Sequence, residues 1–248
     1  MVIVIASIAL AIAISLLWYM PGIRAQGKSR VLTNGNYAKI ALLYGLLFSC
    51  GLIIVTEILW DFAIYDLIPA GLGREIIVCF FRAALLEELF KTTGFILAKN
   101  DIGLTRKIDY IMSAGLIGLV YGVVEKTVLG SISAVIVGLF LPLHIFWQFN
   151  QGAHFYEYDK AKKEGNKEKA RKELFMALFV PFFLHGCWDS VLEIIGTLVE
   201  METSVASVVS AIGLMIVTLV CVVIYTVKTV KMVRGTAIAS RMVAEEGK

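Results

Sequence analysis

Residues 205–227 read VASVVSAIGLMIVTLVCVVIYTV, a stretch without a single charged side chain. A helix rises about 1.5 Å per residue, so this run is long enough to cross a hydrocarbon core of about 30 Å. Lipid offers no partner to a backbone N–H or C=O, so a spanning segment must be a helix or a strand of a closed barrel. Barrel strands are shorter and alternate apolar with polar residues, which this run does not. It therefore predicts a transmembrane helix.

The same signal recurs through the rest of the chain. Long apolar runs cover residues 2–20, 40–60, 75–98, 110–129, 132–155 and 174–198. Of the 248 residues, 58% are apolar and 17% charged, and the mean hydropathy is +0.81. A soluble domain carries nearer a quarter charged residues. The expectation is an all-α, polytopic membrane bundle of about seven transmembrane helices. It forms a single integral membrane domain, placed in the cell membrane with the lipid bilayer as its surroundings. A four-helix core at about 74–198 is flanked by segments 1–60 and 205–227, and a polar tail follows at 228–248.

Charge between the runs sets the orientation. Basic residues gather on alternate connections: Arg24, Lys28, Arg30 and Lys39; then Lys99, Arg106 and Lys107; then the lysine-rich stretch 160–172; then the tail. The connections between them carry Asp61, Asp66, Glu200 and Glu202, with Arg74 as the exception. Positively charged loops stay in the cytoplasm, so the N-terminus is expected outside and the C-terminus inside. Basic residues placed this way serve topology, and the net charge of +3 gives no reason to expect nucleic acid. Residues 156–173 read as a solvated or amphipathic helical extension on the cytoplasmic side. Cys50, Cys79, Cys187 and Cys221 lie inside apolar runs without metal-type pairing, and are read as buried free thiols. No clear small-xxx-small stripe marks a span surface.

Ionisable groups inside a bilayer are costly and by default point to function. Here they fall on consecutive spans: Glu87, Glu88 and Lys91 on the third, Glu125 on the fourth, His144 on the fifth, His185 and Asp189 on the sixth. At about 1.5 Å per residue, Glu87, His144 and His185 all lie about 17 Å from the cytoplasmic ends of their spans. Glu125 and Asp189 lie about 22 Å up, forming a second layer. Lys91 is four residues from Glu87 and three from Glu88, so it can pair with either. His185 and Asp189 are four apart, so the carboxylate can orient the imidazole. Adjacent glutamates point about 100° apart, which suggests that one reacts while the other holds a neighbour.

Such a set suits water activation: a buried carboxylate as general base, with histidines donating to a developing oxyanion. The same groups also make a His2Glu set of the kind zinc accepts. The blander readings are kept for other residues. His154, Glu57, Arg82 and Glu193 are expected to be helix-to-helix or interfacial pairs. Trp60, Trp147 and Trp188 are expected to pack or to mark the membrane boundary.

At these residues the chain resembles the PrsW family of intramembrane proteases, within the wider group that includes the CAAX-processing proteases. The shared pattern is EExxK (Glu87, Glu88, Lys91), an aromatic-xxx-Glu motif (Tyr121 to Glu125), a membrane-embedded His after proline (Pro142, His144) and HGxxD (His185, Gly186, Asp189). All occur in order within about 80–198. Tyr121 stands where phenylalanine is usual, and Lys126 where asparagine is usual.

The resemblance implies hydrolysis of a peptide bond in a membrane-associated or single-span protein substrate. Glu87 would be the base and Glu88 its support through Lys91. His185 with Asp189 would form the oxyanion side, and Glu125 and His144 would complete the cavity. No cofactor is expected on this reading. A zinc-dependent protease using His144, His185 and a glutamate is the alternative, and a proton-coupled transporter or a silent scaffold are further ones.

Overall fold

The computed structural model of the chain describes residues 35–56, 60, 64, 67–69, 71–128, 143–200 and 204–246. The helices are α1 (Gly35–Val55), α2 (Leu72–Ile77), α3 (Leu86–Ile102), α4 (Lys107–Val128), α5 (Leu143–Lys163), α6 (Lys167–Glu200) and α7 (Val205–Glu246). A π-helical stretch, Val78–Leu85, joins α2 to α3. No strand occurs among the described residues. The expected all-helical architecture is therefore what the described residues adopt.

Four segments among the described residues are long and apolar enough to cross a membrane: Gly35–Val55, Lys107–Glu125, Lys167–Ile195 and Ser207–Ser240. The expected spans at 75–98 and 132–155 are not among them. The first is partly π-wound and carries Arg82, Glu87, Glu88 and Lys91. The second is described only from Leu143, where polar residues are dense. The expected span at 2–20 and the tight connection near Gly130 lie outside the described residues.

Two expectations need correcting here. The segment 228–246, expected as a polar tail, is helical and continues α7. Val230, Val233 and Ala237 recur at helical spacing, and Val233 and Ala237 are buried against the main core. The cysteines are all free, but Cys50 and Cys221 are exposed and Cys187 is half-buried, leaving Cys79 alone buried. Apolar positions on a spanning helix include those that face lipid, so hydropathy does not distinguish the two.

The turns follow local chemistry. Gly103 ends α3 in the left-handed conformation (φ 68°), and its N–H closes on the Lys99 carbonyl at 3.0 Å. Asn166 opens α6, its side-chain oxygen accepting the Lys169 N–H at 3.0 Å. Between them α5 and α6 extend as a helical hairpin where the sequence suggests a solvated extension. Lys107 and Lys169 both pair with Glu157, at 2.8 and 3.2 Å, and Lys99 pairs with Asp159 at 2.7 Å. Burial would raise the Glu157 carboxyl, but these two ammonium groups hold it below the usual carboxylate range.

The central helix is α4, whose apolar window is 72% buried, against 11% for α7. Lipid is as apolar as leucine, so close van der Waals fit and interhelical hydrogen bonds must hold such helices together. Glycines on α4 provide the fit. A Cβ on Gly118 would sit 2.5 Å from the His144 carbonyl oxygen, and one on Gly115 would meet the Phe149 ring. With Gly122 these form a small-residue stripe that brings α5 against α4, which corrects the expectation that no such stripe marks a span surface. Helix α6 is docked by a different device. Pro181 lacks an N–H, so the carbonyl of Ala177 loses its usual i+4 donor. The Gln151 amide of α5 donates to it at 3.0 Å and to Thr92 of α3 at 2.9 Å.

Candidate active site

Four helices meet at one buried polar cluster. The first turns of α3 present Glu87, Glu88 and Lys91; α4 presents Tyr121 and Glu125; α5 presents His144 and Gln148; α6 presents His185 and Asp189. On α4, α5 and α6 the paired residues are four apart, so each pair shares one helix face. The structure thus brings together every residue that the sequence singles out: Glu87, Glu88, Lys91, Glu125, His144, His185 and Asp189. The two layers inferred from depth merge into one cluster, because Glu125 and Asp189 each reach about one helical turn towards a histidine.

Lys91 is fully buried at the centre. Its Nζ donates to Glu88 Oε1 at 2.6 Å and to His144 Nδ1 at 2.9 Å, and stands 3.6 Å from Glu87 Oε2. It also lies 4.5 Å from the centre of the Tyr121 ring, whose face stabilises a cation. An ammonium only donates, so His144 Nδ1 must be the accepting nitrogen. His144 Nε2–H then donates to Glu125 Oε2 at 2.8 Å.

The adjacent glutamates have different surroundings. Glu88 is saturated: Oε1 faces Lys91 and His185 Nδ1 (3.1 Å), and Oε2 accepts the Gln148 amide at 3.1 Å. Glu87 Oε2 is buried without any hydrogen-bond partner, with His185 Nε2 3.7 Å away. His185 is held at both nitrogens, by Glu88 and by Asp189 Oδ2 at 3.1 Å. Trp147 lies over the His185 ring with centroids 4.7 Å apart, and the two imidazoles are 5.2 Å apart. Gly186 lets Phe80 of the π-helical stretch sit beside His185, since a Cβ there would be 2.5 Å from that ring.

Donor atoms of Glu87, His144 and His185 lie within 4.8 Å of one another, all three residues being buried. The orphaned Glu87 oxygen and the two imidazoles are the residue types of a zinc site, and each ring is backed by a carboxylate. Both nitrogens of each ring are engaged, however, so zinc would take the place of Lys91 at His144 Nδ1 and of one carboxylate at His185. Four carboxyl groups here face one ammonium and two imidazoles. That balance in low dielectric calls for bound protons or a bound cation.

Two features escape the sequence reading. Gln148 is neutral, so it raises no alarm in a span, although its place one turn after His144 marks it as a neighbour. The Tyr121 ring is expected from the aromatic motif, but not its contact with Lys91. Arg82, expected as a helix-to-helix or interfacial pair, lines a cavity together with Glu87. Of the residues given bland readings, His154 bridges α5 to α6 through Glu173 at 2.6 Å. Trp60 and Trp147 are buried, Glu193 is exposed, and Glu57 lies outside the described residues.

A profile described as "PrsW family intramembrane metalloprotease" matches residues 36–227. The chain is 31% identical over 165 residues to "Protease PrsW" of Clostridioides difficile (strain 630). The match covers 61% of this chain and 65% of that relative, just under two thirds of its length. No solved structure matches.

Proposed function

This chain is a multi-pass membrane protein of the PrsW family, and from that premise we propose that it is an intramembrane endopeptidase acting on a membrane-associated or single-span protein. The observation that carries the reading is the unequal environment of the two glutamates. Glu87 Oε2 accepts no hydrogen bond, whereas both oxygens of Glu88 are engaged. Glu87 is thus the carboxylate with a lone pair to offer a water molecule.

In the proposed reaction Glu87 takes a proton from water, and the oxygen attacks the carbonyl carbon of the scissile bond. His185 keeps Nδ1 on Glu88 and turns its Nε2–H, which lies 3.7 Å from Glu87 Oε2, from Asp189 to the developing oxyanion. Collapse of the tetrahedral species breaks the C–N bond, and the proton held by Glu87 passes to the leaving amine. Lys91 and Glu88 fix the geometry, and Glu125 with His144 completes the polar wall. The family's description as metalloprotease and the convergence of Glu87, His144 and His185 favour a second reading, in which those residues hold zinc. Zinc, when bound, acidifies water and polarises a carbonyl. Family membership does not favour the transporter or scaffold readings.

The proposed topology has seven spans with the N-terminus outside and the C-terminus inside, and rests on the alternation of basic loops.

The test compares N-termini of membrane proteins in cells expressing wild type, Glu87→Gln or Glu88→Gln at equal levels. New termini near spans of other proteins, present with wild type and absent with Glu87→Gln, support the peptidase. Identical profiles from folded, abundant proteins would overturn it. Activity of zinc-free purified protein would exclude the second reading.

A further inference from the structure

A cavity of about 240 Å³ opens against the cluster, between α1, the π-helical stretch and α4. Its floor carries Glu87, whose Oε2 is the orphaned acceptor, and Glu125. Leu52 and Ile53 of α1, Ala83 of the π-helical stretch and Val124 of α4 make its walls. Thr56 and Ser49 also border it, but their hydroxyls donate to carbonyls of their own helix at 2.6–3.1 Å, so they add no free donor. Arg82 is the cationic residue in its lining, beside the two carboxylates of Glu87 and Glu125. Helix α1 forms one side of the cavity, and among the described residues its Leu42, Leu43, Leu46 and Leu47 are exposed.

We propose that this cavity is a specificity pocket that receives one uncharged, apolar side chain of leucine to phenylalanine size next to the scissile bond. The inference rests on the peptidase reading and adds the substrate class. Three observations carry it: Glu87 and Glu125 in its lining, apolar walls, and volume. An apolar cavity of about 150 Å³ accommodates benzene, so this one is large enough for a leucine, methionine or phenylalanine side chain. The carboxylates outnumber the guanidinium, which disfavours an acidic occupant. A membrane-borne segment is rich in such apolar side chains.

The experiment starts from a substrate whose new N-terminus depends on Glu87. Residues on each side of its cleaved bond are changed in turn to Ala, Leu and Phe, and kcat/KM is measured with purified full-length protein in detergent. At one of the two positions wild type should prefer Leu over Ala by about tenfold or more. Leu52→Phe and Val124→Phe fill the pocket from opposite walls. Each should cut that preference by about tenfold or more, without the same change at the other position. Unchanged preferences in both variants would overturn the pocket while leaving the peptidase intact. Failure of both variants to accumulate as folded protein would also overturn it, since it would mean that there is no space to fill. Absence of any Glu87-dependent terminus would instead strike the peptidase reading itself.

Discussion

The side-chain amide of Gln148 donates to Glu88 Oε2 at 3.1 Å, with both residues fully buried. That bond leaves Glu88 no unengaged oxygen, so it stands behind the division of roles between the two glutamates. Gln148→Met keeps the shape and removes the donor. A hydrogen bond to a charged group is worth about 1.5–3 kcal/mol, so kcat should fall about 10- to 100-fold with KM nearly unchanged. In a Glu88→Gln background the same change should have little further effect, because Gln148 acts through Glu88. Additive losses in this double-mutant cycle would count against it.

The Gln151 bond to the Ala177 carbonyl replaces the one that Pro181 cannot make. Gln151→Leu strands a buried acceptor and should destabilise the protein by about 1–3 kcal/mol, read as a lower Tm in detergent. Adding Pro181→Ala restores an N–H one turn away and should recover part of that loss. A double variant no more stable than Gln151→Leu would show that the amide does not serve the proline.

Gly118 lets α4 and α5 approach at backbone distance, and backbone cannot step aside. Gly118→Ala should cost about 1–3 kcal/mol and displace His144 from Glu125, lowering activity. Gly213→Ala on α7 meets nothing within 4 Å and should leave stability unchanged or slightly raised. Equal melting temperatures for the two variants would refute this packing.

Glu157 gives a pH-dependent contribution. Its carboxyl is held low in the fold by Lys107 and Lys169, against the effect of burial. A depressed folded value means stabilisation that is present above the unfolded pKa of about 4.3 and lost as pH falls through the lower folded value. Glu157→Gln should therefore lower Tm at pH 7 by the equivalent of about 1 kcal/mol. The difference from wild type should close as pH approaches about 3. A constant difference across that range would indicate packing rather than charge.

The candidate site was unusually legible because charged residues are expensive in lipid and therefore conspicuous. Glu87, Glu88, Lys91, Glu125, His144, His185 and Asp189 could each be named from a span. Helical spacing alone anticipated the His185–Asp189 and Lys91–Glu88 contacts, now seen at 3.1 and 2.6 Å. Gln148 and Gln151 were not named, because an uncharged amide does not stand out against an apolar run. The helical course of residues 228–246 was missed for the opposite reason: their charges suggested solvent, while Val233 and Ala237 held one face to the core.

The sequence by itself determined that the chain is helical and which residues carry its polar chemistry. Both follow from local rules, since a run of apolar residues must satisfy its own backbone and an ionisable group within it needs a partner. Only the tertiary structure decided which glutamate is saturated, that Lys91 lies among Glu88, His144 and Tyr121, and that a cavity borders Glu87. Those facts depend on the rotation and separation of four helices. Gly118, Pro181 and a π-helical stretch set these through contacts between residues far apart in the chain.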